Sequence, residues 1–419
     1  MKSNFNEFFF SNYFNYLAYV GGWTYKTNNI NTNRIIIFYQ ILCLVSMFAS
    51  IALQLADLWR VSGNLDKVTY NMCTSVIVID TTSKVVVLLN KTKIINKLRL
   101  NLWNDFYKYQ DEDIEKLKNS ITSELKRVSK MFHVAGLVFY PVWISVAYFS
   151  YLWGPRELPF PAFLPINHDD SLSYNLCFLL EIVLGTIILT AAIETNLIVF
   201  SLVLQMVLQY KILYRRILKV SDVYEGIHVD DDDDDDNDDV IPNYDYNAPN
   251  KKKEINFILK RKKTENYLKN IINRQLILSH YVKLFEFGFN HYFLVQITGG
   301  STLVIMNGLH VIKMTYQLSS KIGHQAAYLF FIIVNFFFNC FYTSKLVEEF
   351  NSIGEAAYAT SWYKMDANLQ KYFLMIIIQA QKQPKITAGR FILMNLNTFL
   401  TMLRNTYSWL MLIRQFEIK

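Results

Sequence analysis

Few residues in this chain are placed to do chemistry, and those that are sit where charge is hard to hold. The seven histidines are scattered, and no nucleophile–base pair or metal-ligand spacing appears. Cys43, Cys73, Cys177 and Cys340 all fall in apolar stretches without paired spacing, so they read as small buried hydrophobes. The chain is therefore expected to be no enzyme and to need no cofactor or metal. What remains are charges in apolar surroundings. Asp80 and Lys84 stand at i and i+4 with the acid first, which puts them on one helical turn as a favourable pair. Arg404 interrupts another apolar run, and such residues face protein or a water-filled path rather than lipid. At the opposite extreme, 230–236 is an unbroken run of seven aspartates. It lacks the Gly at position six and the Glu at position twelve that an EF-hand calcium loop needs, and so reads as a solvated loop.

The elements that carry these charges follow from hydropathy. Apolar residues are 52% of the 419 and aromatics 16%, with few Gly and Pro. Crossing about 30 Å of hydrocarbon takes roughly 20 mostly apolar residues in a helix. Seven segments qualify: 35–59, 72–89, 131–153, 174–197, 292–312, 325–344 and 391–413. The second, with Asp80 and Lys84, is the weakest. The run 197–213 is also apolar and is expected to continue the fourth helix, with an eighth span as the alternative. No basic n-region, apolar h-region and cleavage site opens the chain, so the first span is expected to direct insertion.

Orientation follows from Lys and Arg. The segment between spans two and three carries ten of them and that between four and five fourteen, whereas the alternate segments share seven. The N-terminus is therefore expected in the cytosol and, with an odd span count, the C-terminus outside. This polarity is the reverse of a G-protein-coupled receptor's, and D-R-Y and N-P-x-x-Y motifs are absent as well. The expected fold is all-α, a seven-span transmembrane bundle of inverted topology with cytosolic helical extensions. It divides into a cytosolic N-tail (1–34), spans one to six (35–344), cytosolic helices (345–390), the seventh span (391–413) and an external tail (414–419). The long cytosolic loop (211–290) holds an Asp-rich insert at about 229–252, expected to be disordered. Leu268, Ile271, Leu278, Val282, Phe285 and Phe289 recur at helical spacing, with Gln275 in the stripe. Leu346, Phe350, Ile353 and Ala357 do the same after span six. These helices are expected to pack below the membrane, within one subunit or between subunits.

Several short features, in order along the chain, carry a family likeness. Leu158-Pro-Phe-Pro-Ala162 lies in the second external loop, and Arg274-Gln-Leu-Ile-Leu-Ser-His280 precedes span five. Then come Cys340, Ala357-Tyr358, Trp362-Tyr363, Gln381, Pro384, Ala388-Gly389, Arg404-Asn-Thr-Tyr-Ser408 and Arg414. Together with the inverted topology they resemble the insect odorant receptors over about three quarters of the chain; the first 130 residues fit by span pattern alone. The last span does not resemble that of the olfactory co-receptor. The related gustatory receptors pair T-Y with Q-F across five apolar residues, and here seven residues separate Thr406-Tyr407 from Gln415-Phe416.

The resemblance implies a ligand-binding subunit of an odorant-gated, non-selective cation channel in the plasma membrane of olfactory neurons. Its partners would be a small volatile organic ligand, co-receptor subunits in a heterotetramer, and membrane lipid, with no nucleic acid. It implies a pocket in the outer half of the membrane among spans two, three, four and six. The residues expected there are Val76 and Ile77, Tyr140, Trp143 and Tyr148, Thr186 and Ile187, and Tyr328 and Phe331. Aromatic rings supply contact area, and one hydroxyl would orient an ester, alcohol or ketone. It also implies that span seven lines the pore. The residues expected there are Arg404, Thr406, Tyr407, Leu410, Ile413 and Arg414; Leu403, Thr406 or Tyr407, Leu410, and Ile413 or Arg414 recur at helical spacing beside Arg404, and the family's gate maps onto Leu410 and Arg414 by their distance from Tyr407. Leu410 would form an apolar constriction and Arg414 would stand at the external mouth. A gustatory-type channel is the alternative; a secondary transporter would show internal repeats and broken spans, and none is evident.

Overall fold

Apolar periodicity that outlasts a bilayer's thickness shapes this molecule. The structure, a computed structural model, describes residues 30–106, 111–153, 158, 160–163, 171–225, 249–316 and 322–417. Most of the N-tail, and the Asp-rich insert up to residue 248, lie outside the described residues. Ten helices are described: α1 (Ile30–Arg60), α2 (Leu65–Asn90), α3 (Thr92–Phe106), α4 (Glu112–Trp153), α5 (Ser171–Leu218), α6 (Val220–Glu225), α7 (Pro249–Tyr316), α8 (Ile322–Ala359), α9 (Ala367–Gln381) and α10 (Leu396–Glu417). A two-stranded hairpin, β1 (Thr387–Ala388) and β2 (Ile392–Leu393), stands between α9 and α10.

Helix α7 has 68 residues, about 100 Å of helix at 1.5 Å per residue, so it runs far beyond a hydrocarbon core. Its stripe of Leu268, Ile271, Leu278, Val282, Phe285 and Phe289 is buried throughout, as is Gln275. Leu346, Phe350, Ile353 and Ala357 of α8 are buried too. The 197–213 stretch belongs to the uninterrupted α5, and nearly every side chain in it is buried in a core built with α7 and α8. It is protein interior, not an eighth span, and its uniform apolarity reflects burial on all sides.

Polar clamps tie this extension together. Arg274, itself buried, reaches Asp105 of α3 (2.8 Å) and Gln209 of α5 (2.6 Å). Lys345 of α8 holds both oxygens of Glu124 of α4 (2.7 and 2.8 Å).

Six helices among the described residues are long and apolar enough to cross a membrane. The expected seventh, α10, packs along α7 and α8 and is long enough, but it carries Asn397, Thr401, Arg404, Asn405 and Ser408. It also starts at Leu396 rather than 391. The chain turns at Gly389 (φ 60°) and Arg390 (φ 69°), two of the three residues that join the strands, and the Phe391 N–H donates to Ala388 O (3.3 Å) to close the turn. Gly389 donates its N–H to Asn290 O (2.9 Å), pinning the hairpin to α7 before α10 begins. Phe391 therefore sits in the hairpin, exposed, not in the span.

Candidate functional site

A cavity of about 370 Å³ lies between α1, α2, α4, α5, α7 and α8. That lies within the range of small-molecule sites. Its walls are mainly apolar and aromatic. Trp143 of α4 stacks on Phe160 of the α4–α5 connection (6.4 Å, 14° between planes), and Tyr328 of α8 meets Trp143 edge-on at 5.6 Å. Gly185 of α5 makes room for this group: a Cβ there would fall 2.8 Å from Phe160 Cε2 and would also collide with the Tyr140 hydroxyl. That hydroxyl donates to Ile182 O at 2.7 Å.

Of the residues expected in the pocket, Ile77, Tyr140, Trp143, Tyr328 and Phe331 line the cavity. Val76, Tyr148, Thr186 and Ile187 do not. Val76 is turned onto the main core, and Ile187 packs in a satellite cluster with Val78 and Ile188. Tyr148 is exposed and lies against Phe178 (5.9 Å). Thr186 turns its hydroxyl back to Ile182 O (2.7 Å) on an exposed face. The face of α5 that meets the cavity is Leu184, Gly185, Ile188 and Ala192, about half a turn round from the expected one. Apolarity on every side of α5 left its register unreadable. Sequence reasoning also missed Glu181, an acid within a span, which lines the cavity; an ionisable residue at that depth is itself the signal.

The deeper end is polar. Lys84 Nζ lies 2.5 Å from Asp80 Oδ2 and 5.7 Å above the Tyr292 ring, so the i,i+4 pair forms and faces protein as expected. Tyr292 OH and Asn339 Nδ2 both donate to Asn196 Oδ1 (2.9 and 3.0 Å). Asn339 also donates to Asn335 O (3.0 Å). Gly300 of α7 lines this end, and a Cβ there would meet Phe336 and Met402 Cε at 3.7 and 3.8 Å. One layer of side chains thus separates the cavity from α10.

On α10, Arg404 and Tyr407 are exposed, Ile413 and Arg414 half-buried, and Thr406 buried with its hydroxyl donating to Met402 O (2.9 Å). Leu410, expected on the channel axis, lies instead against Gly308 of α7. The outward face carries Asn397, Thr401, Arg404, Ser408 and Gln415, at steps of three, four and seven residues. A polar stripe on a membrane-depth helix needs water or another subunit against it.

Comparison with known proteins bears on this arrangement. A family profile described as 7tm odorant receptor matches residues 64–407. Odorant receptor 10 of Aedes albopictus is 36% identical over 90 residues, 22% of this chain and 24% of that one. The odorant receptor coreceptor of Drosophila melanogaster is 26% identical over 129 residues, 29% of this chain and 26% of that one. The chain thus spans about a quarter of the length of these curated relatives. The solved structure of the insect olfactory receptor OR5 from Machilis hrabei in complex with eugenol superposes with a TM-score of 0.78 at 13% identity, over 98% of both chains.

Proposed function

The chain belongs to the 7tm odorant receptor family, and on that premise we propose that it is the ligand-binding subunit of an odorant-gated, non-selective cation channel in olfactory neurons. The observation that carries this reading is the apolar, aromatic-lined cavity, one side-chain layer from α10. The likeness of the whole chain to an olfactory receptor whose structure holds eugenol supports the fold that such a reading requires.

A volatile ligand would occupy the cavity against Ile77, Tyr140, Trp143, Tyr328 and Phe331. Occupancy would press on Gly300 and Phe336, and through them on Met402 and Phe399 of α10; Phe336 and Phe399 rings lie 5.9 Å apart. The polar stripe through Arg404 and Ser408 would line the conduction path. Leu410, seated on α7, would hold α10 in its resting position, and Arg414 would lie toward the external mouth. The N-terminus would be cytosolic, which places the α7–α8–α9 extension inside the cell and the cavity in the outer half of the plasma membrane.

Assembly with co-receptor subunits into a heterotetramer fits the exposed apolar surface of that extension. Tyr358, Tyr363, Leu374, Met375 and Ile378 are all open in the single subunit, and apolar side chains in such a group mark a contact surface. Electrical recording from cells expressing the chain with and without an insect co-receptor tests the proposal. Volatile-evoked cation current is expected with the co-receptor, and its absence at normal surface expression would overturn the reading.

A further inference from the structure

The cavity is lined by two acids and one base. Three Asp, Glu, Lys, Arg or His side chains line it: Asp80, Lys84 and Glu181. Lys84 is taken by Asp80 at 2.5 Å, and no other cation lines the wall. Glu181 of α5 is 4% exposed. One carboxyl oxygen, Oε2, accepts the N–H of Phe160 at 3.0 Å. The other, Oε1, is buried without a hydrogen-bond partner among the described residues. The neighbouring acid, Asp57, offers nothing to it, being itself taken by Arg60 (2.7 Å) and Asn71 (3.0 Å).

The remaining unpartnered polar atoms of the lining point the same way. Gln54 Oε1, Asp80 Oδ1 and Gln296 Oε1 are carbonyl or carboxylate oxygens, buried and without a donor among the described residues; Thr81 Oγ1 is the one hydroxyl. These acceptors lie just beneath the lining rather than open on it, and a ligand donor that reaches one meets an atom otherwise left without a partner.

Aromatic residues are linked to the carboxyl through the Phe160 backbone. Phe160 is bonded to Glu181 through its N–H and stacked on Trp143 through its ring, and Tyr328 closes on Trp143 from α8. Carboxylate and aromatic faces together are the chemistry that receives an ammonium group: one supplies a charge-assisted hydrogen bond, the others a cation–π attraction.

Resting on the reading of the cavity as an odorant site, we propose that it is selective for volatile amines, with the ammonium donating to Glu181 Oε1 beside Trp143, Phe160 and Tyr328, and the apolar body lying deeper against Ile77 and Phe331. Alcohols, which donate without charge, rank below amines of the same shape. Ketones and esters, which only accept, rank last.

Recordings from the full chain with an insect co-receptor test this with phenethylamine, phenethyl alcohol and acetophenone, which share a ring and differ in the polar group. Phenethylamine is expected to activate at a concentration about tenfold or more below that of acetophenone, the size of one charge-assisted hydrogen bond. Glu181→Gln keeps an oxygen for the Phe160 N–H and removes the charge, and it is expected to bring that ratio to near one. Equal potency of the three in the wild-type chain overturns the proposal without any variant. A preference for acetophenone does too, since it would mean a carboxylic acid that donates. An amine preference that survives Glu181→Gln at normal surface expression also overturns it. Current with acetophenone but no amine preference leaves the channel reading standing, whereas no current with any volatile at normal surface expression removes both.

Discussion

Leu410 of α10 occupies a notch in α7 that exists because residue 308 is glycine: a Cβ at Gly308 would collide with Leu410 Cδ1. The side chain expected to close the pore from the axis is thus seated on the neighbouring helix of its own subunit. A seat of this kind has two fillings, a large residue over a small one or the reverse, and it stabilises one position of α10.

Filling the notch should unseat the helix. Overpacking by one methyl costs typically about 1–3 kcal/mol in the state that must accommodate it, enough to move a closed–open equilibrium by about tenfold or more. Gly308→Ala is expected to raise ligand-independent current, and Leu410→Ala to do the same by removing the seated side chain. The double variant, small against small, should lie closer to wild type than the sum of the two. Additive effects, measured as basal current per surface-labelled channel, would show that the two residues do not act as a pair.

A second prediction concerns the extension beyond the membrane. Arg274 is 6% exposed and reaches both Asp105 and Gln209, so its removal leaves the half-buried Asp105 carboxylate without this cation. Breaking a buried pair from one side costs about 3–5 kcal/mol, and a pair with one half-buried partner costs less. Arg274→Ala is expected to lower the thermal stability of the purified protein and its surface level. Arg274→Lys, which keeps the charge but loses the fork, should recover part of both. Wild-type melting behaviour in Arg274→Ala would show the clamp to be dispensable.

These relationships differ in how far the sequence exposes them. Amphipathic stripes such as Leu268–Phe289 and Leu346–Ala357 are legible because each helix has one buried face, and every residue of both stripes that the periodicity picked is buried. The pair Asp80–Lys84 is legible because i,i+4 spacing is local. The cavity face of α5 is not, because a helix apolar on all sides has no marked register: Thr186 and Ile187 look as suitable as Gly185 and Ile188, which face the space. The start of α10 was placed too early because Phe391, Ile392 and Leu393 read as span residues, whereas Gly389 and Arg390 fold them into a hairpin. The seating of Leu410 on Gly308 joins positions about a hundred residues apart, and no pattern within either helix announces it.

The glycine at the aromatic end of the cavity makes a third test. Gly185 lets Tyr140 and Phe160 close over α5, so Gly185→Ala must displace one of them. The cavity should lose space at its Trp143 end, and larger ligands should lose more potency than small ones, by about tenfold for one misplaced ring. Tyr328→Ala should do the reverse and admit bulkier ligands. A uniform loss for ligands of every size in both variants would mark these as packing positions alone.

Orientation rests on charge asymmetry and is open to direct measurement. With ten and fourteen Lys and Arg in the segments after spans two and four against seven in all the alternate segments, a tag on the N-terminus is expected to stain after permeabilisation only. A tag on the C-terminus should stain on intact cells. An N-terminal tag visible on intact cells would invert every statement here about inner and outer ends.

The last test separates the two faces of α10. Asn397, Thr401, Arg404, Ser408 and Gln415 lie outward, while Thr406 is buried and Leu410 is turned to α7. If the outward stripe lines a water-filled path, single cysteines placed at 401, 404 and 408 should react with a charged thiol reagent applied to the channel, and current should fall as they do. Cysteine at 406 should stay unmodified, because that position is buried. The native Cys43, Cys73, Cys177 and Cys340 are all buried, so the background reaction is expected to be small. Arg404 carries the strongest charge on the stripe, and Arg404→Glu should therefore raise the permeability to divalent relative to monovalent cations. Equal reactivity at 404 and 406, or protection of 401, 404 and 408 together with unchanged selectivity in Arg404→Glu, would place the stripe against protein rather than water and take α10 of this subunit out of the conduction path.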